Sequence, residues 1–510
     1  MIRFFLITLL IAFPLAAQIL PLQDVEENVP FDANILNHPF PETKNNQTIY
    51  TPLQHKPYFK AERAVYNYYP RFQPSYVSFN PGGKAYIKYG TIIQFKNEQN
   101  QWDYIDVKPV IESYIHIHGW SNYSFYGYWG QVEEATIRFD NDGGAYLMYT
   151  ITPKNSQGQV LAVLSILLHS KDNMVSWQVY TLPYCFARFE KIDGHNQDCL
   201  TRPPVILLSN TWDPANLYIT VLQKLSNGTL QIPTPVQIGS NCISVGMHAG
   251  DGNIAITHGN EVYVVYGKLE ALGTPANGVP TYVCTYNISN RTLSSPVFVG
   301  YGGIEIDSHN WPAITYDGNG ILHIIINGHH NPFRYFYSLL PYSTQSWSSV
   351  QEVGAGNSYG TLNCNANNSL YVATRCSRRG YRFEIALSRK KTGQNWQSEN
   401  YLVSPYKLYY QNWLQKMSYD PVSNRLFLTY FSQGGSVCVF KDDYLAYLNV
   451  WPHIEKDSLE YSSGELPLGT DRDYSNPRQY QYYYIPYSEC CILVSDDNGD
   501  SWHLATSQDF

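Results

Sequence analysis

Charge is scarce in this chain of 510 residues. Asp, Glu, Lys and Arg together make up 15% of it, whereas Tyr alone contributes 45 residues and Trp a further 11. So many aromatic residues are not typical of a disordered chain. The formal net charge of -8 and the pI near 6.0 exclude a general nucleic-acid binder. They still allow an anionic substrate, which needs only a locally basic site.

A long apolar run is also missing after the N-terminus. The chain begins MIRFFLITLLIAFPLAAQ, in which Arg3 precedes an apolar stretch that ends in small residues. This pattern predicts a secretory signal peptide over residues 1–17, because the stretch is too short for a membrane span. No later run of eighteen apolar residues occurs in the sequence. We therefore expect a secreted, extracellular and soluble protein.

The nine cysteines include no CxxC pair, which removes a common spacing of zinc ligands. Export favours disulfides, and the local candidates are Cys185–Cys199 and Cys364–Cys376. The odd count leaves one thiol over. Six N-glycosylation sequons hint at a eukaryotic secretory route. They stand at Asn46, Asn122, Asn227, Asn287, Asn290 and Asn367.

What the sequence does contain is a repeat. Residues 18–70 are rich in Pro and Asn and read as an N-terminal arm. Beyond them, two apolar strands joined by a short turn recur. The seven predicted hairpins cover residues 76–89, 135–150, 205–222, 254–266, 313–327, 361–375 and 416–431. This predicts an all-β fold: a seven-bladed β-propeller with four-stranded antiparallel blades over residues 71–510. A pair of β-sandwiches is the alternative.

A second repeated element favours the propeller. Residues 495–502, SDDNGDSW, fit the Asp-box pattern S-x-D-x-G-x-x-W. This motif predicts a tight turn between outer blade strands, in which Asp accepts bonds from loop amides and Trp packs beneath the sheet. Residues 170–177 are a degenerate copy, and residues 346–347 and 393–396 end two eroded ones. Asp boxes are structural and say nothing directly about catalysis.

The fifth hairpin has unusual flanks. His309 and Asn310 precede its first strand, and His329 and His330 follow its second. Because a hairpin brings these two ends side by side, we expect the imidazoles to share one rim of a sheet. His323 lies within the second strand and is predicted to be a core residue.

The sixth hairpin has comparable flanks, since Tyr359 precedes its first strand and Arg375 ends its second. Adjacent blades would then gather two imidazoles, a phenol and a guanidinium at one end of the propeller axis. The sequence nearby is basic in an otherwise acidic chain, with Arg378, Arg379, Arg382, Arg389, Lys390 and Lys391. A basic pocket on an acidic protein indicates an anionic ligand.

These residues form a longer pattern. It runs H-N-x-P-x-x-x-x-D-x-x-G-x-x-H from His309, then H-x-x-P-F-x-Y from His329, then Tyr359 and, sixteen residues later, Arg375. The order and spacing resemble those of the BNR-repeat propeller group that contains the ulvan lyases and the rhamnose–glucuronate lyases. The resemblance is specific in the fifth and sixth blades and extends to the others only as a repeat.

The resemblance implies a polysaccharide lyase that cleaves a uronic-acid-containing polymer by β-elimination. It implies that His309 and Tyr359 are the acid–base pair, and that His329 and Arg375 neutralise the substrate carboxylate. His329 is preferred to His330 because it keeps the H-x-x-P spacing. The expected substrate-binding residues are Asn310, His330, Arg334 and Arg379. No cofactor is required for this chemistry, a structural Ca²⁺ or Zn²⁺ stays open, and a monomer is expected.

Other interpretations stay open. A sialidase-type hydrolase would need an arginine triad, for which Arg138, Arg334 and Arg375 are the candidates. A non-catalytic glycan-binding propeller is the third interpretation. His116 and His118 alternate along a predicted strand and could offer two nitrogens to a metal. A packing role is favoured for both, since the sequence shows no third ligand.

Overall fold

The computed structural model has an all-β fold with a propeller-like arrangement of sheets. It describes residues 40–44, 47–51, 65–67, 77–89, 91–125, 136–245, 254–269, 277–305, 308–378, 382–403, 412–433, 437–440, 460–462, 480–484, 488–505 and 507–510. The predicted signal peptide lies outside these residues. Across the described segments no helix reaches the length and apolarity that a bilayer crossing requires.

Three strands precede the repeating part: β1 (Phe40–Lys44), β2 (Gln47–Thr51) and β3 (Val65–Asn67). The first unit contains β4 (Val77–Phe79), β5 (Ala85–Tyr89), β6 (Ile92–Lys96) and β7 (Trp102–Asp106), followed by helix α1 (Lys108–Ile117). The second contains β8 (Asn122–Phe125), β9 (Arg138–Phe139), β10 (Ala145–Lys154), β11 (Leu164–Ser170) and β12 (Gln178–Thr181).

The third unit contains β13 (Phe186–Phe189), β14 (Val205–Ser209), β15 (Ala215–Val221), the small hairpin β16 (Gln223–Lys224) and β17 (Leu230–Gln231), and β18 (Val236–Cys242). The fourth contains β19 (Ala255–His258), β20 (Glu261–Gly267), β21 (Pro280–Asn287), β22 (Thr292–Leu293) and β23 (Val297–Tyr301). The fifth contains β24 (Pro312–Tyr316), β25 (Leu322–Ile326), β26 (Asn331–Tyr337) and β27 (Gln351–Ser358).

The sixth unit contains β28 (Asn363–Cys364), β29 (Leu370–Arg378), β30 (Arg382–Lys390) and β31 (Asn400–Val403). The seventh begins with β32 (Asn412–Tyr419) and β33 (Leu426–Gln433). A separate sheet of β34 (Val437–Phe440), β35 (Glu460–Ser462) and β36 (Tyr480–Tyr484) follows, before β37 (Ser488–Ser495) and β38 (His503–Leu504) complete the unit. Short 3₁₀ turns cover Gln197–Thr201, Ser308–Asn310 and Ser507–Asp509.

Apolar clusters join each unit to the next around a closed ring. Along β25, Leu322 and Ile324 pack into the cluster shared with the third and fourth units, whereas Ile325 packs into the cluster shared with the sixth. This alternation buries both faces of a strand. The first and seventh units also pack against each other, since Ile87 of the first and Phe427 of the seventh lie in one apolar cluster. Seven units can therefore be traced in the described residues. Each has four strand positions, because β8 and β9 share one position beside β10, and β22 and β23 share one beside β21.

The sheet that closes the ring contains strands from both ends of the chain. Within the seventh unit, β37 pairs with β33 on one side. On its other side it pairs with β3 near its start and with β38 near its end. The N-terminal segment is thus hydrogen-bonded to the last unit, which leaves little of that sheet edge unpaired.

The predicted hairpins match strand pairs in every unit. In five units they are the first two strands. In the second unit they are β9 and β10, which follow β8. In the third unit the predicted pair is β14 and β15, which are the second and third strands. The first strand, β13, gave no hairpin signal because a long segment rather than a short turn connects it to β14.

That connection is a central segment, residues 190–201. Lys191 N donates to Ala255 O of the fourth unit at 2.8 Å, and Thr315 Oγ1 of the fifth donates to Asp193 Oδ2 at 2.7 Å. Gly194 N donates to Cys364 O of the sixth at 3.0 Å. A Cβ at Gly194 would lie 2.6 Å from the backbone of residues 365–366. Because the central segment contacts the inner strands of three other units, it lies in the channel that the units enclose.

The Asp box and its degenerate copy both form the predicted turns. In residues 495–502, Ser501 N donates to Asp497 Oδ1 at 2.8 Å and Trp502 packs against the core between the sixth and seventh units. In residues 170–177, Ser176 N donates to Asp172 Oδ1 at 2.9 Å. Hydrogen bonds from the Ser176 hydroxyl, the Ser176 amide and the Ser170 hydroxyl hold the pKa of Asp172 down to about 2. Each turn lies between the third and fourth strands of its unit.

The prediction that His116 and His118 lie on a strand is wrong. His116 lies in α1, and His118 follows its last residue. Pro109 in the first turn and the buried Ile111, Tyr114 and Ile115 form a helical pattern that the aromatic alternation obscured. His118 stacks on Trp120, with ring centroids 4.9 Å apart, which is a packing role. The described residues include no group of three or more His, Cys, Asp or Glu side chains that could hold a metal ion.

The two predicted disulfides are not formed, since the structure has all four cysteines as free thiols. Cys185 lies near the end of β14 and donates Sγ–H to Asn210 O, whereas Cys199 lies in the central segment near the start of that strand. Cys364 pairs with Leu370, six residues along β29 from Cys376. Six extended residues span roughly 20 Å, far beyond disulfide reach.

Substitution of Asp193 tests whether the central segment stabilises the ring. Burial raises the pKa of Asp193 and lowers that of Lys191, its ion-pair partner at 3.8 Å, to about 8. We expect Asp193→Ala to lower the free energy of unfolding by about 3–5 kcal/mol, because it leaves a buried charge uncompensated. Urea unfolding measures this change. The exposed Asp198→Ala is the control, and equal effects of the two would contradict the role given to Asp193.

Candidate functional site

The predicted histidine pair meets at one rim of the ring. The turn before β24 positions His309, and the segment after β25 positions His329. Their imidazoles stack with centroids 3.9 Å apart and planes 5° from parallel. His309 is half-buried, and the side chain of His329 is 24% exposed. Both rings are therefore within reach of a ligand at this rim.

Tyr359 joins the pair from the sixth unit. Its hydroxyl lies 3.2 Å from His309 Nε2, within hydrogen-bond distance, and the ring centroids are 5.2 Å apart. Which of the two atoms donates depends on the imidazole tautomer. Tyr359 itself is 1% exposed. The phenol thus lies behind His309 as seen from solvent, and the hydrogen bond connects the two groups.

Arg375 lies beneath the phenol ring. Strand pairing sets Arg375 opposite Ser358, the residue before Tyr359, and Arg375 Nε donates to Ser358 Oγ at 3.0 Å. The central carbon of the guanidinium lies 4.2 Å from the Tyr359 ring centroid, a cation–π geometry. Arg375 is 1% exposed. Its charge therefore acts on Tyr359 first, from the side away from solvent.

The backbone at Tyr359 is unusual. Its φ of +59° lies in the left-handed region, which costs a non-glycine residue about 1 kcal/mol. Gln415 of the seventh unit donates to the Tyr359 carbonyl. The next residue is Gly360, where a Cβ would lie 2.6 Å from both the Asn327 Oδ1 atom and the Phe333 ring. Three units thus hold the phenol in a conformation that the chain would not adopt alone.

Sequence reasoning missed Glu305. Its Oε2 atom lies 2.7 Å from His329 Nδ1, and its side chain is 57% exposed. The only sequence signal is an acidic residue shortly before His309, in a segment with no strand pattern. The contact with Glu305 at Nδ1 therefore helps to fix the orientation of the His329 imidazole.

Asn310, predicted to bind substrate, is fully buried. Its Oδ1 accepts from Gly303 N and its Nδ2 donates to Glu305 O, both at 2.5 Å. The side chain therefore fixes the loop that carries Glu305.

Two further predicted binding residues, His330 and Arg334, lie around the same rim. His330 is half-buried, with a φ of +58° and its ring 4.5 Å from that of His329. Arg334, on β26, donates to Tyr301 O at 2.8 Å. Arg379 lies outside the described residues. His323 is a core residue as predicted: its Nδ1 lies 2.7 Å from Tyr335 Oη, and burial lowers its pKa.

The basic run that suggested an anionic ligand divides between the two ends of the ring. Arg378 ends β29 and pairs with Arg382 at the start of β30, at the rim that carries Tyr359. Arg389 lies at the far end of β30, where it pairs with Asp500 of the Asp box. Lys391 reaches the same carboxylate at 3.5 Å. Only the first part of the run is placed near the histidines.

A sialidase-type arginine triad is not supported by the surroundings of Arg138. This residue lies 3.7 Å from Glu190 in the central segment, and its side chain is 3% exposed. It precedes the turn between β9 and β10, whereas Arg375 lies near the opposite end of its own hairpin. The two arginines therefore face different ends of the ring.

The fold and the site together define a β-propeller that carries a histidine–tyrosine cluster at one rim. Residues 281–450 match the profile of a family described as a BNR repeat-containing family member. This match includes the whole cluster. No curated protein sequence matches the chain.

Solved structures similar to the chain include glycan-active enzymes. One is an ulvan lyase bound to a glucuronate–sulfated rhamnose fragment, with 13% identity, a TM-score of 0.31, and coverage of 50% of this chain and 70% of that one. Another is a Hadza microbial sialidase, with 11% identity, a TM-score of 0.34, and coverage of 63% and 65%. A third is an α-L-arabinofuranosidase of Fusarium graminearum, with 12% identity, a TM-score of 0.36, and coverage of 59% and 88%.

The role of Asn310 can be tested by truncation. We expect Asn310→Ala to lower the free energy of unfolding by about 1–3 kcal/mol, because it leaves a buried amide and a buried carbonyl without partners. Asn331→Ala is a matched control, since that exposed amide makes a single bond to His329 O at 2.9 Å. We expect this control to change the free energy of unfolding by no more than about 0.5 kcal/mol. Similar losses for the two variants would show that Asn310 does not hold the loop.

Proposed function

We propose that this protein is a polysaccharide lyase that cleaves a uronic-acid-containing polymer by β-elimination. The observation that carries the proposal is the 3.2 Å contact between His309 Nε2 and Tyr359 Oη, beside the stacked imidazole of His329. Two groups that can each give or take a proton, next to cationic side chains, suit a reaction that moves a proton next to a carboxylate.

The reaction makes three demands. A base removes the C5 proton of the uronate, and its electron pair forms the C4–C5 double bond while the C4–oxygen bond breaks. The departing oxygen takes a proton from an acid. The C5 proton is weakly acidic unless positive charge offsets the adjacent carboxylate. The enzyme must therefore supply an acid, a base and a nearby cation in one place.

The half-buried His309 is the group of the pair that a substrate reaches first. Tyr359 lies behind it and is joined to it by the hydrogen bond, so a proton taken by one can pass to the other. We assign the two as the acid–base pair. The order in which they act follows from which face of the sugar ring meets His309.

His329 is assigned to the substrate carboxylate. With Glu305 accepting from Nδ1, we assign Nε2 as the atom that donates a charge-assisted bond to the uronate. Arg375 supplies positive charge from beneath the phenol, where it offsets negative charge that develops on Tyr359. Its burial supports an action through Tyr359 rather than by direct contact with the sugar.

The substrate class is the least specific part of the proposal. An ulvan-like or rhamnose–glucuronate polymer follows from the motif resemblance, and the basic residues beside the rim are compatible with an anionic chain. We propose that the protein is exported, on the pattern of its first seventeen residues, and acts as an extracellular monomer. Sialidase-type hydrolysis is disfavoured, since Arg138 is engaged with Glu190.

Substitution of the acid–base pair tests the assignment. We expect His309→Ala and Tyr359→Phe each to lower turnover by about 10²-fold or more, because each removes a proton-transfer group. The readout is ultraviolet absorbance of the new C4–C5 double bond on uronate polysaccharides. His258→Ala is the control, since this half-buried histidine stacks on Tyr342 and lies at the hairpin-turn end of the fourth unit. Full activity in either site variant, with normal unfolding, would reject the pair.

The role of Arg375 has a distinct kinetic signature. We expect Arg375→Met to lower kcat by about 10²-fold with KM close to that of the wild type, because the lost charge acts on the transition state through Tyr359. Arg375→Lys should recover part of kcat. An increase in KM without a change in kcat would instead show that Arg375 binds the substrate carboxylate directly.

A further inference from the structure

The six N-glycosylation sequons of the sequence take no part in the proposed reaction. Asn46 lies outside the described residues. In the sequon that begins at Asn122, Ser124 Oγ is hydrogen-bonded to Thr152 Oγ1 at 2.7 Å, which commits the hydroxyl of the motif to the pairing of β8 with β10. The remaining four sequons divide into two pairs by the contacts of the Asn amide.

Asn227 and Asn290 lie in the same kind of turn, and both are exposed. Asn227 Oδ1 accepts from Thr229 N at 2.9 Å and from Thr229 Oγ1 at 2.7 Å. Asn290 Oδ1 accepts from Thr292 N at 3.0 Å and from Thr292 Oγ1 at 2.6 Å. In each turn the Asn carbonyl bonds to the Thr of its own motif, whereas Nδ2 makes no hydrogen bond to the described residues. A glycan on Nδ2 would therefore displace no contact in this part of the chain.

The amides of the other pair bond to a different strand or unit. Asn287 is half-buried, and its Nδ2 donates to Glu261 Oε1 of the neighbouring strand at 2.6 Å. Asn367 Nδ2, in the sixth unit, donates to Asn498 Oδ1 in the Asp box of the seventh at 2.9 Å. A bulky group on either nitrogen would crowd a contact that joins two parts of the ring.

The turns of Asn227 and Asn290 lie at the rim that carries the hairpin turns, opposite the histidine–tyrosine cluster. Lys224, shortly before Asn227, donates to Asp142 in the turn between β9 and β10 at 3.2 Å. Asn290 follows β21, whose last residue pairs with the first residue of β20, directly after the turn between β19 and β20. A glycan at either turn would leave the cluster accessible to a polymer.

We propose that Asn227 and Asn290 carry N-linked glycans and that Asn287 and Asn367 do not. This assignment rests on the proposed export, because N-linked transfer takes place in the secretory route. The donor is an oligosaccharide joined through a diphosphate to a lipid. The bond between its first sugar carbon and the diphosphate oxygen breaks, and Nδ2 bonds to that carbon. The proton that Nδ2 loses balances the negative charge on the released lipid diphosphate.

Site mapping of the full chain tests the assignment. The protein is produced in a eukaryotic cell line, recovered from the medium and treated with a peptide N-glycosidase in heavy-oxygen water, which converts each glycosylated Asn to a labelled Asp. Peptide mass spectrometry then shows which sequons were occupied. We expect label at Asn227 and Asn290, and unlabelled Asn287 and Asn367.

Two kinds of result would overturn the assignment, and they differ in what else they reject. A secreted chain without label at Asn227 or Asn290, or with label at Asn287 or Asn367, would reject the sites alone. A chain that stays inside the cell without any glycan would reject the sites together with export. Neither readout depends on turnover, so each is separate from the test of elimination.

Three substitutions at exposed positions locate the glycans on the intact protein. Asn227→Gln and Asn290→Gln should each remove the mass of one glycan. Ser289→Ala is the matched control, because it destroys the sequon of Asn287 but keeps that amide in place, and it should remove none. Loss of a glycan in Ser289→Ala, or no loss in Asn290→Gln, would contradict the choice of Asn290 over Asn287.

Discussion

Each four-stranded unit of this protein has two apolar faces, and neither can be left in water. The strand β25 shows the constraint, because Ile324 and Ile325 pack into different clusters on opposite sides of one strand. A ring of units satisfies every face at once and needs no capping element. It also fixes where loops can lie, since each inner strand runs from one rim to the other. The histidine–tyrosine cluster exists because the ends of neighbouring hairpins meet at the same rim.

The same constraint creates the electrostatics of the site. A ring closed by β-sheets leaves a narrow channel, and side chains that point into it are removed from water. Arg375 is therefore buried under the phenol of Tyr359 rather than exposed to a ligand. From the solvent inward, a single line of contacts runs through Glu305, His329, His309, Tyr359 and Arg375. Removal of any member changes the charge that its neighbour experiences.

Most of the fold could be predicted from local signals. Turn residues between β-branched strands marked the hairpins, and hairpin geometry then predicted that His309 and His329 meet. The strand predicted around His116 failed for a local reason, since a helical pattern was overlooked. Other failures depended on contacts distant in sequence. The pairing of Cys185 with Cys199 looked local, yet the central segment carries one of them to the other end of β14. Glu305 could not be found because only the fold brings it to an imidazole, and the depth of Arg375 depends on how neighbouring units pack.

The central claim is that the cluster performs elimination rather than hydrolysis. Mass spectrometry of the products from a defined uronate oligosaccharide tests it most directly, because elimination adds no water to the substrate. The account predicts two fragments whose masses sum to that of the substrate, one of them carrying the C4–C5 double bond. Fragments that together weigh one water more would show a hydrolase. An intact oligosaccharide that binds without change would show a glycan-binding propeller.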